Sequence, residues 1–278
     1  MSTALERLER SRRVAPAVAT YRRFVEIDGM TQGGLLAIEL FTTVIPLIVI
    51  GFSYFTGFAK NASVGDLFIR QLGLHAPQDQ PVRDLFGSSD GLRSTWTVVG
   101  IASFLVWGIP MSITVAAMFA KAWRREPFPI AARLWRGALW FVVYLAMMLG
   151  RDRIIAQGVG RDAGRWIFLV IALLPVWAFW SCTPALLVRD GARGVRALAL
   201  AGFAGVIIDG IVLPLAARIV FPPLLAGWNG FGPVGAAMTM MTWCGVIGTG
   251  WVVTACVGAV VWERSAASQT VVDTQVTT

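Results

Sequence analysis

Long apolar runs separated by short, arginine-bearing connections dominate the chain. The runs are too continuous for the alternating face of a strand and too apolar for one-sided surface helices. Crossing roughly 30 Å of hydrocarbon takes about 20 apolar residues. By that measure six helices are expected, at about 33–58, 94–120, 137–158, 166–188, 197–221 and 233–262. The third is the least regular, because its apolar stretch reaches only from Gly137 to about Gly150. Either Arg136 and Arg151 reach opposite surfaces, or the helix continues through Ile154 and Ile155 with Arg151, Asp152 and Arg153 partly submerged. The expected fold is therefore all-α: a polytopic integral membrane protein with interfacial amphipathic helices outside its spans.

Two segments outside the spans carry such helices. In a basic arm covering 1–32, Val14, Val18, Tyr21 and Val25 recur at helical spacing among arginines, with Pro16 in the first turn, which fits a helix lying on an anionic leaflet. The connection 60–93 is long for a structureless loop, and its DLFIRQLGL and PVRDLF stretches suit short amphipathic helices on the opposite surface. Residues 263–278 carry no core pattern and are expected to be a disordered tail.

Composition agrees with this pattern: 56% of the 278 residues are hydrophobic and 14% charged, where soluble chains carry about a quarter charged. In this setting the net charge of +8 bears on topology and anionic lipid, and nucleic acid is not an expected partner. With the N-terminus inside, 15 of the 24 bases fall on the cytoplasmic side and eight outside, leaving Arg218 within a span. The positive-inside rule then puts both termini of a multi-pass membrane protein in the cytoplasm. Trp96, Trp123, Trp135, Trp140, Trp166, Trp228 and Trp262 fall near the proposed span ends, where an indole sits comfortably at the headgroups. The first 30 residues are polar and Arg-rich with no apolar core before a cleavage site, so the first run is expected to remain as a helix.

An enzyme is not expected. The single histidine, His75, lies in a connection, which excludes His-pair zinc chemistry and a His-based triad, and no phosphate loop ending in Gly-Lys-Ser/Thr occurs. Cys182, Cys244 and Cys256 fall in apolar runs and read as packing residues, so no cofactor or metal is implied.

Ionisable groups at membrane depth carry more information, because they are costly there and face a bundle interior or a watery cavity. Glu39 shares a helix face with Thr43, Pro46 and Ser53, each within about 40° at 100° per residue. Asp209 and Arg218 stand on opposite faces of the fifth span, so they are no simple intrahelical pair. Arg218 can snorkel outward; Asp209, about 12 residues into the span, cannot. Asp209, Glu39 and Arg218 are thus candidates for a substrate path. Gly210 and Pro214 weaken the helix beside Asp209 and free the Gly210 carbonyl, so Asp209 is expected to cap a second half-helix. Pro46, Pro110, Pro175 and Pro184 are the other expected breaks. Gly250, Thr254 and Gly258 form a small-residue ridge suited to close packing, either inside the monomer or across a homodimer.

The stretches LLAIELFTTVIPLIVIGFSYF, TVVGIASFLVWGIP, AFWSCTPALLV and NGFGPVGAAMTMMTWCGVIGTGWVVTACVGAVV resemble the YihY/BrkB family of bacterial inner-membrane proteins over roughly residues 28–263. The resemblance implies a six-helix membrane fold, and members of that family carry labels from virulence factor to ribonuclease, some with links to moving envelope lipids. Ile38 and Glu39 stand where relatives of that family carry an aromatic pair. Together these readings point to a carrier or flippase for an amphiphilic or anionic envelope component, with a non-transporting scaffold for envelope assembly as the alternative.

Overall fold

The computed structural model describes residues 15–55, 80, 96–157, 165–191 and 194–276. His75, both expected helices of the 60–93 connection and the arm's first arginines lie outside them. Among the described residues every regular element is helical. They are α1 (Ala15–Glu26), α2 (Gly29–Phe55), α3 (Trp96–Ala122), α4 (Ile130–Gln157), α5 (Arg165–Ile171), α6 (Leu173–Leu187), α7 (Val195–Gly205), a π segment (Val206–Val212), α8 (Leu213–Trp228), a short 3-10 turn (Asn229–Phe231) and α9 (Pro233–Val276). Among the described residues three stretches are long and apolar enough to cross a membrane: Trp166–Leu187, Ala197–Trp228 and Val234–Ser265.

Several boundaries differ from those expected. The fourth expected span is divided at Ala172, between α5 and α6. Pro175 explains the division, since it has no N–H for the carbonyl of Ile171. Positions 46, 110 and 184 lie inside continuous α2, α3 and α6 instead of ending them. α4 runs without a break from Ile130 to Gln157, so Arg151, Asp152 and Arg153 belong to the helix. The tail expected to be disordered continues α9 to Val276. No Pro or Gly follows Gly258, so nothing in the backbone chemistry stops that helix.

Contacts divide the chain into two units. The first draws on Met1–Gln32, Ser112–Gly210 and Gly250–Thr278, the second on Gly33–Met111 and Ile211–Thr249. In the first, α6 packs against both α4 and α7. Glycines permit close approaches in this unit: a methyl on Gly137 of α4 would overlap the Ser112 backbone of α3, and one on Gly205 of α7 would overlap the Trp180 indole of α6. Around them gathers an aromatic core of Phe119, Trp140, Tyr144, Phe179, Trp180 and Trp251, with ring centroids 5.0–6.5 Å apart. Such ring pairs contribute about 0.5–1.5 kcal/mol each beyond the area they bury. Trp140, expected at a membrane surface, is 1% exposed in this core, and Trp123 is buried against Trp262. Trp135 and Trp166 are exposed.

The second unit has a smaller core of Ala217, Phe221, Leu225 and Trp243, joined by Ala216, Val246 and Ile247. There Gly33 lies against Thr249, and Gly248 against the Gly33 carbonyl and Leu36. Small residues on α2 and α9 thus let their backbones come close.

The arm is docked. Val18 and Ile27 are buried, and the Arg23 guanidinium, 3% exposed, donates to the Ala122 carbonyl at the end of α3 and to both Glu263 oxygens at 2.9 Å. Arg124 donates to Glu26 at 2.8 and 2.5 Å. Of the expected lipid-facing stripe, Tyr21 and Val25 are exposed, whereas Val18 packs inward. α9 closes the same end through Trp262, over which Arg125 lies 5.6 Å from the ring centroid.

Candidate functional site

Along α7, the π segment and α8, every fourth residue is buried: Ala201, Gly205, Asp209, Leu213, Ala217, Phe221 and Leu225. The exposed apolar residues Phe203, Ile207, Ile211, Leu215 and Ile219 follow the same spacing on another face. On a straight α-helix a four-residue spacing drifts by about 40° per step. The π turn takes up one extra residue, which turns the downstream face back by about 100° and offsets part of that drift. The extra residue falls where Asp209 and Gly210 precede Pro214.

Asp209 is 1% exposed and accepts two hydrogen bonds through different oxygens, from the Tyr144 hydroxyl at 3.1 Å and from Trp180 Nε1 at 3.2 Å. Tyr144 comes from α4 and Trp180 from α6, so the carboxyl ties the π turn to two neighbouring helices of the first unit. It does not cap a half-helix as expected, because both oxygens are turned to these side chains. The nearby Trp140 Nε1 donates to Thr183 Oγ1 at 3.0 Å, and Thr183 donates on to the Phe179 carbonyl.

The carbonyl freed by Pro214 is also accounted for. Arg151 of α4 donates from its terminal nitrogen to the Gly210 oxygen at 3.1 Å. The guanidinium therefore supplies the bond that position 214 cannot. Tyr144 and Arg151 are seven residues apart, two turns of α4, so both stand on the face that meets residues 209 and 210. Trp251 of α9 stacks edge-on to Tyr144 with centroids 5.0 Å apart.

Of the other path candidates, Glu39 and Arg218 belong to the second unit. Glu39 is half-buried, its carbonyl accepts from the Thr42 and Thr43 hydroxyls, and Arg218 is exposed. On the ridge of α9, Thr254 donates within the helix to the Gly250 carbonyl at 2.9 Å, and Gly258 faces Ala201 and Trp123 of the first unit. Cys244 and Cys256 are buried, whereas Cys182 is exposed. Among the described residues no group of His, Cys, Asp and Glu is arranged to hold a metal.

Sequence reasoning isolated Asp209 and the loose Gly210 carbonyl but missed Tyr144, Trp180 and Arg151. The signal for Arg151 was present, since a base submerged near the end of α4 needs an acceptor and Pro214 leaves one free. Nothing in the spacing paired the two helices. The chain matches no family model, no curated protein and no solved structure.

Proposed function

We infer that the chain is a six-span carrier or flippase of the bacterial inner membrane, acting on an amphiphilic or anionic envelope component, with both termini in the cytoplasm. Helices α2, α3 and α4, of 27, 27 and 28 residues, support three spans beyond the long apolar stretches. The charge bias supports the orientation, and the resemblance to the YihY/BrkB family supports a role in handling envelope lipids. The observation that carries the reading is Asp209: a carboxyl within a long apolar helix, at a π turn, beside a guanidinium holding a freed carbonyl. Residues of this kind within membrane helices usually serve a conduction or relay path, and π turns recur at functional sites. No cofactor or nucleic acid enters this reading. The lipid contacts it requires include the anionic leaflet beside the arm.

A specific observation favours the second reading, a non-transporting scaffold. Both Asp209 oxygens have donors, so the carboxyl also suits a purely structural tie. Reconstitution separates the two. Proteoliposomes carrying a fluorescent phospholipid are treated with a membrane-impermeant reductant. The carrier reading expects more than half of the label to be bleached with wild-type protein, against half in empty vesicles, and a return towards half with Asp209→Asn. Bleaching that stays at half with phospholipid and lipopolysaccharide probes alike overturns the carrier reading in favour of the scaffold.

A further inference from the structure

The arrangement around the π turn has two possible resting places for one guanidinium. Arg151 lies on the Gly210 carbonyl, and the Asp209 carboxyl is the adjacent residue. Among the described residues no cation stands within ion-pair distance of Asp209; its donors are the neutral Tyr144 hydroxyl and Trp180 indole. Arg151, bound 3.1 Å from the Gly210 oxygen, is the cation held at the very next residue. The titratable or charged groups that α4 brings to residues 209 and 210 are Tyr144 and Arg151. From α6 it meets Trp180, which does not titrate.

We propose that Asp209 is a proton-binding site, and that its occupancy decides whether Arg151 fastens the π turn through the Gly210 carbonyl or leaves it for the carboxylate. With the proton on, the carboxyl is neutral and offers Arg151 no charge to pair with, so the guanidinium stays on Gly210. The carboxyl O–H then donates to the Tyr144 oxygen, while Trp180 continues to donate to the other oxygen, so the site is satisfied. A hydroxyl can serve as donor or acceptor by rotating about its C–O bond, which makes Tyr144 compatible with either state. With the proton released to water, an uncompensated carboxylate in this buried place attracts the nearest cation. Arg151 then swings across one residue, and the Gly210 carbonyl loses its partner because Pro214 has no N–H. Proton release thus unfastens the π turn.

The donor set also argues for a proton over a metal cation as the ligand. Na⁺ or Ca²⁺ needs several converging oxygens, but one of the two partners of Asp209 is an indole N–H, which cannot coordinate a cation.

The inference rests on the carrier reading for its use, as the coupling of lipid movement to protons, but the site itself is testable without any substrate. The full-length protein in liposomes is titrated by infrared difference spectroscopy. The expected result is a reversible carbonyl band of a buried carboxylic acid, present in wild type, lost in Asp209→Asn and moved in frequency in Asp209→Glu. In parallel, hydrogen exchange of the 206–212 amides, corrected for the intrinsic pH dependence of exchange, should rise as the band disappears. In Asp209→Asn and in Arg151→Gln it should not follow pH. A wild-type band unchanged by Asp209→Asn overturns the proposal, as does pH-dependent exchange of 206–212 that persists in Asp209→Asn. A protein that titrates at Asp209 yet moves no lipid in the bleaching assay removes the carrier reading and leaves the proton site standing.

Discussion

Arg23 shows how a single side chain changes the meaning of a segment. By sequence it is one of six arginines on an arm expected to rest on lipid, whereas in the structure it is 3% exposed between the Ala122 carbonyl and Glu263. Arg23→Ala removes a buried charge-assisted junction and leaves Glu263 without this partner. Glu263 is 40% exposed, so solvent screens part of the loss. The expected cost is about 2 kcal/mol, below the 3–5 kcal/mol of a wholly buried pair. A fall in Tm in detergent measures it, and Glu263→Gln, which keeps one acceptor, should fall less. Beside it, hydrogen bonding from Arg124 holds the Glu26 carboxyl below its ordinary value of 4.5. A depressed folded value means that this contact stabilises the docked arm fully above pH 4.5 and progressively less as pH falls through the folded value. Hydrogen exchange of residues 15–26, corrected for intrinsic rates, should accordingly rise below that pH in wild type. In Arg124→Ala that part of the pH dependence should vanish.

At the scale of elements, apolar period and length made the helices legible, while partners across helices were not. The three stretches long and apolar enough to cross a membrane followed from runs of apolar residues. The stop at Ala172 was implicit in Pro175, and the extra residue of the π turn was foreshadowed by Gly210 and Pro214. What no pattern revealed was the pairing of α4 with residues 209 and 210, because Tyr144 and Arg151 look alike in sequence whether they face lipid, water or another helix. That pairing can be tested as a coupling. Pro214→Ala restores an N–H one turn beyond Gly210, so the carbonyl no longer depends on Arg151. Arg151→Ala should therefore cost less stability in the Pro214→Ala background than in wild type. The expected coupling is about 0.6 kcal/mol, the average for polar contacts between membrane helices, read from a double-mutant cycle of unfolding free energies. Additive effects would show that Arg151 does not replace the missing donor. A packing control lies nearby. Gly205→Ala puts a methyl into the Trp180 indole and should destabilise by about 1–3 kcal/mol, whereas Gly150→Ala meets no neighbour and should be neutral or mildly stabilising.

For the whole molecule, two features together bear on which way the helices thread the membrane. The first is the docking of the arm. Arg23 and Glu26 tie α1 to the turn after α3 and to Glu263 on α9, so residues 15–26, the 123–129 connection and the segment near 263 gather at one end of the first unit. A membrane-spanning layout must then place these three on the same side, which requires an even number of crossings between each pair. Two spans between α1 and the 123–129 connection, and four between that connection and residue 263, meet the condition; an odd number in either interval breaks it. The second feature is the charge on this end, where Lys121, Arg124, Arg125 and Arg189 are exposed. Basic connections favour the cytoplasm. Reporter fusions in the 123–129 connection and after Ala267 should therefore both report cytoplasm, and a fusion at His75 should report the outside. Because the junction ties the first two sites together, they should also respond together when the charge bias is altered. Replacing Lys121, Arg125 and Arg133 by glutamine weakens the retention signal without touching Arg23, Glu26, Arg124 or Glu263. The expected outcome is that any molecules inverted by this change carry both reporters outside. Opposite locations for the 123–129 and 267 reporters in the unaltered protein would rule out the even count and with it the six-span layout.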